Sequence, residues 1–310
     1  MLAMKTFSWN LISRYRSQIM GVAILLVLVC HADNFFWGSL QPYIVQLMPI
    51  AAIGVDIFLF VSGVGLYFSM KKDGDIRRFY ARRFLRIVPE YLIVAGTAYA
   101  VVNTVQNTWG GGILYLVQIS GIAASLGGAG NGAVWYVLFI LIMYALYPFL
   151  HLLFRNDDKI RRFFLSLCIL IPLFFILALI HFVPEDFQKL WIERPLSRIP
   201  IFCLGAYMGR PVEEGRESKR ALIPILFVLF IFLRLAKIVF LGSDALYGQI
   251  LVRSANQCLA FAVMLSAALC MACLEKSGRS ILGAALSWCG KASLELYLFH
   301  SFLILLYACF

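Results

Sequence analysis

A few ionisable side chains of this sequence lie inside long apolar runs, where an unpaired charge is costly. They are His31, Asp56, Glu90, Arg234, Lys237, Arg253, Glu295 and His300. Moving such a group to the centre of a bilayer costs at least about 2.5 kcal/mol on insertion scales. Each of them therefore needs a partner, a hydrated cavity or a chemical role, and this makes them the first candidates for function.

His31 and Asp56 carry the chemistry of a general base and its orienting acid. A neutral imidazole can take a proton from a hydroxyl group. Asp56 could accept a hydrogen bond from His31 and fix its tautomer, as the acid of a catalytic dyad does. Two alternatives stay open: His31 is a hydrogen-bonding group between helices, or Asp56 pairs with an arginine for structural reasons.

The arginine-rich segment 77–86 carries a different chemistry. Arg83 and Arg86 are three residues apart, so they share one face of a helix at the membrane surface. Planar guanidinium groups bind phosphate oxygens in pairs. This face, with Arg82 beside it, therefore predicts a site for an anionic ligand. The alternative is an anchor that contacts anionic lipids.

Two further apolar runs carry polar side chains at helical spacing. The first set is Arg253, Asn256 and Gln257, and the second is Ser293, Tyr297 and His300. Each set shares one helix face, whereas Glu295 points away from the second set. Such faces are typical of a hydrated cavity, and hydrogen bonds between helices are the alternative.

The composition indicates which solvent surrounds these residues. Hydrophobic residues make up 62% of the 310 residues and charged residues only 14%. Apolar runs of about 20 residues, the length that crosses a bilayer as a helix, alternate with short polar connections. Lipid cannot satisfy exposed backbone groups. We therefore expect an all-α, polytopic transmembrane helix bundle that forms a single domain over residues 1–310.

The apolar runs predict nine to ten spans. Nine are expected near residues 17–36, 44–69, 86–106, 134–154, 162–182, 197–209, 221–241, 250–273 and 290–310. The glycine-rich stretch 110–130 is either a tenth span or a re-entrant segment. A full crossing there would move Arg155 and its basic neighbours to the opposite side, so the charge pattern favours a re-entrant segment.

The net charge of +11 arises from 27 basic and 16 acidic residues. The basic residues gather in four clusters, at 71–86, 155–162, 210–220 and 275–279. Because basic loops stay in the cytoplasm, this pattern predicts a cytoplasmic N-terminus and a cytoplasmic side for all four clusters. The positive charge is then explained by membrane orientation, and nucleic acid is not expected as a partner.

The order of these motifs resembles the acyltransferase 3 family of bacterial membrane enzymes that modify exported glycans. The strongest matching pieces are Gly54–Gly63 and Phe79–Pro89. Shorter family-like pieces are Gly21–His31, Trp135–Leu138, Leu204–Gly209 and Ser293–His300. Together these pieces extend over the chain from end to end.

The resemblance implies a location in the inner membrane and an acyl-CoA donor, best acetyl-CoA, that enters from the cytoplasm. It also implies a glycan or lipid-linked sugar as acceptor, with no bound cofactor and no metal. His31 matches the family's first-helix histidine, and Arg83 with Arg86 matches its Arg-x-x-Arg. Met20 stands where the family has an arginine, and Arg16, one turn earlier on the same side of the helix, can supply that charge.

These expectations combine into an O-acyltransferase in which His31, oriented by Asp56, activates an acceptor hydroxyl for attack on a thioester. The donor's phosphates are expected at Arg16, Arg82, Arg83 and Arg86. The acceptor side of the cavity is expected at Asp33, Trp135, Arg253, Asn256, Gln257, Glu295 and His300. The alternatives are a transporter or flippase for a glycan precursor and an inactive family member that acts as a partner subunit.

Overall fold

The long apolar runs form α-helices, since a helix satisfies its own backbone groups in lipid. The computed structural model describes residues 6–32, 45, 48–120, 135–182, 193–240, 246–278 and 281–307. Its helices are α1 (Asn10–Arg14), α2 (Arg16–Cys30), α3 (Ile53–Asp73), α4 (Ile76–Val105), α5 (Gly112–Ile119), α6 (Trp135–Phe154), α7 (Asp158–Phe182), α8 (Glu193–Leu196), α9 (Ile199–Glu213), α10 (Leu222–Phe240), α11 (Leu246–Lys276), α12 (Ile281–Lys291) and α13 (Ser293–Tyr307). The strands β1 (Thr6–Ser8) and β2 (Glu217–Lys219) pair antiparallel.

Among the described residues, six helices are long and apolar enough to cross a membrane. They are Met48–Lys72, Ile76–Val105, Trp135–Phe154, Asp158–Ala178, Leu222–Val239 and Ile250–Lys276. Helices α12 and α13, which meet at a bend of 66°, make a seventh span if they cross together. The nearly all-α membrane protein expected from the sequence is thus found.

The expected count of nine to ten spans is not confirmed. The expected spans 17–36 and 197–209 correspond to α2 and α9, which have 15 residues each. That is shorter than the roughly 20 residues that cross a bilayer as a straight helix. The first part of the doubtful stretch 110–130 forms α5, which has only eight residues. Residues 121–134 lie outside the described part of the chain.

Helix α3 lies at the centre of the bundle, with α2 and α9 packed against it, and α12 packs on α2. Glycines allow these helices to approach closely. A Cβ atom added at Gly205 would overlap the carbonyl oxygen of Phe60, and one added at Gly290 would overlap that of Ser17. Backbone contact through small residues is a common way to join membrane helices. It fixes α2, α3, α9 and α12 as one unit.

Gly290→Ala is therefore expected to destabilise the protein by about 1–3 kcal/mol, the usual cost of overpacking. The added methyl group would push α12 away from the Ser17 carbonyl on α2. A lower melting temperature of the purified protein in detergent is the expected measurement. Gly283→Ala is the matched control on the same helix, because its Cβ would meet only the Met271 Sδ atom, at 3.9 Å. Equal stability of the two variants would contradict the packing described for α12.

The basic clusters lie together at one end of the bundle. Two ion pairs join three of the clusters, Lys71–Glu213 at 2.7 Å and Asp158–Arg216 at 3.5 Å, and Arg14 of the N-terminal segment pairs with Glu275 of the fourth at 2.9 Å. The strand pair places Phe7 opposite Ser218, so the N-terminal segment belongs to the same end. The sequence placed these segments on one side of the membrane, and the structure brings them to one face.

Candidate functional site

A cavity of about 300 Å³ lies between α2, α3, α4, α6, α12 and α13. Four basic side chains line it, Arg16, Arg83, Arg86 and Lys291. None of the described residues that line it is an aspartate or a glutamate. We call this space the first cavity. The positive charge around it suits an anionic ligand.

Two of these arginines have buried nitrogen atoms without an acceptor. The Nε atoms of Arg16 and Arg83 make no hydrogen bond within the described part of the chain. Gly65 leaves room for Arg16, because a Cβ at Gly65 would lie 2.8 Å from an Nη atom of that guanidinium. A buried polar group without a partner is costly. Phosphate oxygens would satisfy such donors with charge-assisted hydrogen bonds.

Three of the four arginines expected to bind the donor line the first cavity. Arg16 comes from α2, whereas Arg83 and Arg86 come from α4, and Met20 lines the same cavity. Arg82 was expected to join them and does not line this cavity. Its guanidinium is exposed and lies 3.5 Å from the carbonyl oxygen of Ser69. A helix rotates by about 100° per residue, so Arg82 leaves the face that Arg83 occupies.

Aromatic rings connect the first cavity to the histidine singled out by the sequence. Tyr136 and Tyr297 line the cavity, and their ring centroids are 5.2 Å apart. The ring of Tyr297 lies 5.0 Å from that of His300, and His300 lies 5.1 Å from His31. Ser293, Tyr297 and His300 are all buried, as their shared helix face predicted. A group that leaves the cavity toward His31 therefore passes the Tyr297 ring.

The contact that His31 makes with the backbone indicates which of its ring nitrogens carries the proton. Its Nδ1 atom lies 3.0 Å from the carbonyl oxygen of Val27, one turn earlier on α2. A carbonyl oxygen only accepts hydrogen bonds, so the neutral ring carries its proton on Nδ1 in this contact. The Nε2 atom then keeps its lone pair and can take a proton.

Asp56 takes part in a buried ion pair. Its Oδ1 atom lies 3.4 Å from the Nε atom of Arg198, and both side chains are only 4% exposed. The Arg198 guanidinium in turn lies over the ring of Trp135, 5.0 Å from the centroid. This cluster joins α3, α6 and the residue before α9. It corresponds to the structural alternative for Asp56, pairing with an arginine, and the proposed contact with His31 stays a prediction.

The polar face of α11 makes hydrogen bonds to other segments of the bundle. The side-chain amide of Asn256 donates to the carbonyl oxygen of Pro49 at 3.2 Å, and that of Gln257 donates to the carbonyl oxygen of Ser197 at 2.6 Å. Neither residue lines the first cavity, and Arg253 does not line it either. These bonds agree with the hydrogen-bonding alternative for this face, and its role in a hydrated acceptor cavity stays a prediction.

Two other residues, Glu295 and Asp33, are expected at the acceptor side. Glu295 is exposed and is not among the residues that line the first cavity. Asp33 lies outside the described residues. His300 and Trp135 do not line the first cavity either. The ring of His300 lies beside that of Tyr297, which does line it, and Trp135 directly precedes Tyr136 in the sequence. An acceptor role for these two residues stays a prediction.

A second cavity, of about 510 Å³, lies between α3, α6, α7 and α9. Its basic lining residues are Lys71, His151, Arg155, Arg161 and Arg210. The charge pattern of the sequence assigned Lys71, Arg155, Arg161 and Arg210 to membrane orientation alone, and it did not single out His151. It also missed Lys291 and Arg198. A single arginine directly before an apolar helix was the available signal for Arg198, whereas the approach of Lys291 to Arg16 depends on the packing of α12 on α2.

Comparisons with known proteins gave one match. Residues 19–308, nearly the whole chain, match the sequence profile of a family described as an acyltransferase domain. A search of curated proteins and a search of solved structures found no match.

Proposed function

The chain belongs to the acyltransferase 3 family, and on this premise we propose that it is a membrane O-acyltransferase with acyl-CoA as its donor. The family assignment supports an acyltransferase in general terms. The proposal goes further: the acyl group is acetyl, and the acceptor is a hydroxyl of an extracytoplasmic glycan or a lipid-linked sugar. Acyl-CoA is a co-substrate, and no bound cofactor is needed.

The observation that carries the proposal is the first cavity. Four cationic side chains converge there, and two buried Nε atoms have no acceptor among the described residues. Coenzyme A carries phosphates that would pair with such groups. The first cavity has a volume of about 300 Å³, which lies at the lower end of the usual range for ligand sites. A pantetheine arm and an acyl group would extend from the phosphates toward Tyr136 and Tyr297.

The proposed reaction is a direct acyl transfer. The Nε2 atom of His31 takes the proton of the acceptor hydroxyl while that oxygen attacks the thioester carbonyl carbon. The carbon–sulfur bond breaks, and the imidazolium returns the proton to the leaving thiolate. The products are the O-acyl ester and the free thiol of CoA. His300 borders His31 and would help to hold the acceptor.

We also propose the orientation of the site in the bacterial inner membrane. The face that joins the basic clusters would lie in the cytoplasm, together with the N-terminus, because basic segments remain on that side. The first cavity would then receive the donor from the cytoplasm, and the acceptor would approach from the other side. Anionic membrane lipids would contact the exposed arginines of this face.

Mass spectrometry of surface polysaccharide from cells with and without this protein tests the proposal. A glycan mass that drops by one acetyl group per acceptor unit when the protein is absent is the expected result. Purified protein should also release free CoA thiol from acetyl-CoA in the presence of that glycan. A flippase would instead change the amount of glycan without changing its acylation, and an inactive partner subunit would release no thiol.

Arg83 and Arg86 provide a test of donor binding. Replacing both with lysine keeps the positive charge that orients the protein but removes the planar group that binds two phosphate oxygens. We expect the KM for acetyl-CoA to rise about tenfold, with the KM for the acceptor little changed, since losing a charged hydrogen bond costs about 1.5 kcal/mol or more. Steady-state kinetics in nanodiscs measures both constants.

The matched control is Arg82→Lys, next to the pair but outside the first cavity. It should leave both constants near those of the parent protein. If the double lysine variant also keeps its donor KM, the two arginines contact lipid only, and the donor site has to be placed elsewhere.

A further inference from the structure

The second cavity contains more positive than negative charge. None of its described lining residues is acidic, and carboxylates outside the lining pair with Lys71, Arg161 and Arg210. Glu213 accepts hydrogen bonds from Lys71 at 2.7 Å, and Glu214 accepts one from Arg210 at 2.7 Å. These hydrogen bonds lower the pKa values of both carboxyl groups. Glu213 thus neutralises Lys71, whereas Glu214 is shared between Arg210 and Arg216, which donates to it at 2.6 Å.

Arg155 supplies the remaining charge, and Arg161, although paired with Asp158, adds a buried donor. Arg161 is 1% exposed; it donates to Asp158 at 3.0 Å and to the carbonyl oxygen of Tyr207 at 2.7 Å, but its buried Nε has no acceptor in the described chain. Arg155 is exposed, and no described carboxylate pairs with it. A buried donor and an unpaired cation in one cavity indicate an anion site.

The two cavities follow the same pair of helices. On α6, Tyr144 lines the first cavity and His151 the second. On α3, Ser62 lines the first and Lys71 the second. At 1.5 Å of rise per residue, these pairs are about 10 and 14 Å apart along their helices. A long ligand with anionic groups at two separated positions would fit this arrangement.

We propose that the second cavity binds the 3′-phosphate at the nucleotide end of the donor, and that the chain thereby selects CoA thioesters over thioesters without a nucleotide. This inference rests on the proposed function, in which the first cavity holds the part of the donor nearer the thioester. The first cavity then positions the reacting end, and the second cavity contributes affinity. Changes in the second cavity should alter KM and leave kcat unchanged, since its contacts are the same before and during the reaction.

The test compares acetyl-CoA with 3′-dephospho-acetyl-CoA as donors for the full chain in nanodiscs. Arg155→Gln removes the unpaired cation, and we expect it to raise the KM for acetyl-CoA about fivefold, the factor that corresponds to about 1 kcal/mol for a partly exposed ion pair. The KM for the dephospho donor should not change. The control Arg162→Gln removes the same charge from an exposed arginine outside the cavity and should leave both donors unaffected.

Each other outcome overturns the inference in a distinct way. An equal rise of both KM values, or an equal effect of Arg162→Gln, would show a general effect of surface charge. If Arg155→Gln kept both KM values and changed only how the activity depends on the phosphatidylglycerol fraction of the nanodiscs, the phosphate bound there would be that of a lipid headgroup. If the parent protein used neither donor, the proposed function itself would fail. If it used both equally well, only the inference about the nucleotide end would be lost.

Discussion

His31→Ala is expected to lower kcat at least about a hundredfold, the usual loss when a positioned general base is removed. The structure gives the physical reason, since the contact between Nδ1 and the Val27 carbonyl leaves Nε2 as the basic atom. The variant should still insert and fold, because His31 lies at the end of α2 and is half-buried. Acetyl transfer to the glycan, followed by mass spectrometry, measures the loss.

His31→Asn makes this experiment sharper. The asparagine side-chain amide can still donate to the Val27 carbonyl, but it offers no basic atom. A variant that retains the stability of the parent protein and loses its rate would separate base catalysis from packing. Near-normal transfer by either variant, at normal expression, would remove His31 from the mechanism. His300, 5.1 Å away, would then be the next residue to test as the base.

The helix faces of the site could be predicted from the sequence because they depend on local periodicity. Ser293, Tyr297 and His300 are buried together, as their spacing required. Arg83 and Arg86 line one cavity for the same reason. Side chains three or four residues apart on a helix share a face whatever the rest of the fold does. Such predictions need no knowledge of the neighbouring helices.

Contacts between distant segments were less accessible. The sequence placed Asp56 with either His31 or an arginine, and only the approach of the residue before α9 identifies that arginine as Arg198. Lys291 reaches the first cavity because Gly290 lets α12 touch the backbone of α2. The span count depended on hydropathy windows, which do not detect that α2 and α9 end after 15 residues.

Met20 stands where the resemblance predicts an arginine, and Arg16 lies close enough on α2 to supply that charge. Arg16 and Met20 are one turn apart on α2 and both line the first cavity, so either position can present a cation to it. Arg16→Met should raise the KM for acetyl-CoA by roughly 10- to 100-fold. That range corresponds to about 1.5 to 3 kcal/mol for a lost hydrogen bond to a charged group.

The exchange variant Arg16→Met with Met20→Arg should recover most of the lost affinity, because it returns one guanidinium to the cavity at the family's usual position. Steady-state kinetics with acetyl-CoA, at a fixed acceptor concentration, measures the KM of each variant. A purely structural role for Arg16 predicts a different result. The Arg16 guanidinium lies against Gly65, and a guanidinium introduced at position 20, one turn away, cannot restore that contact. Recovery of the donor KM by the exchange would therefore assign Arg16 to the donor, whereas loss of folded protein without recovery would assign it to packing.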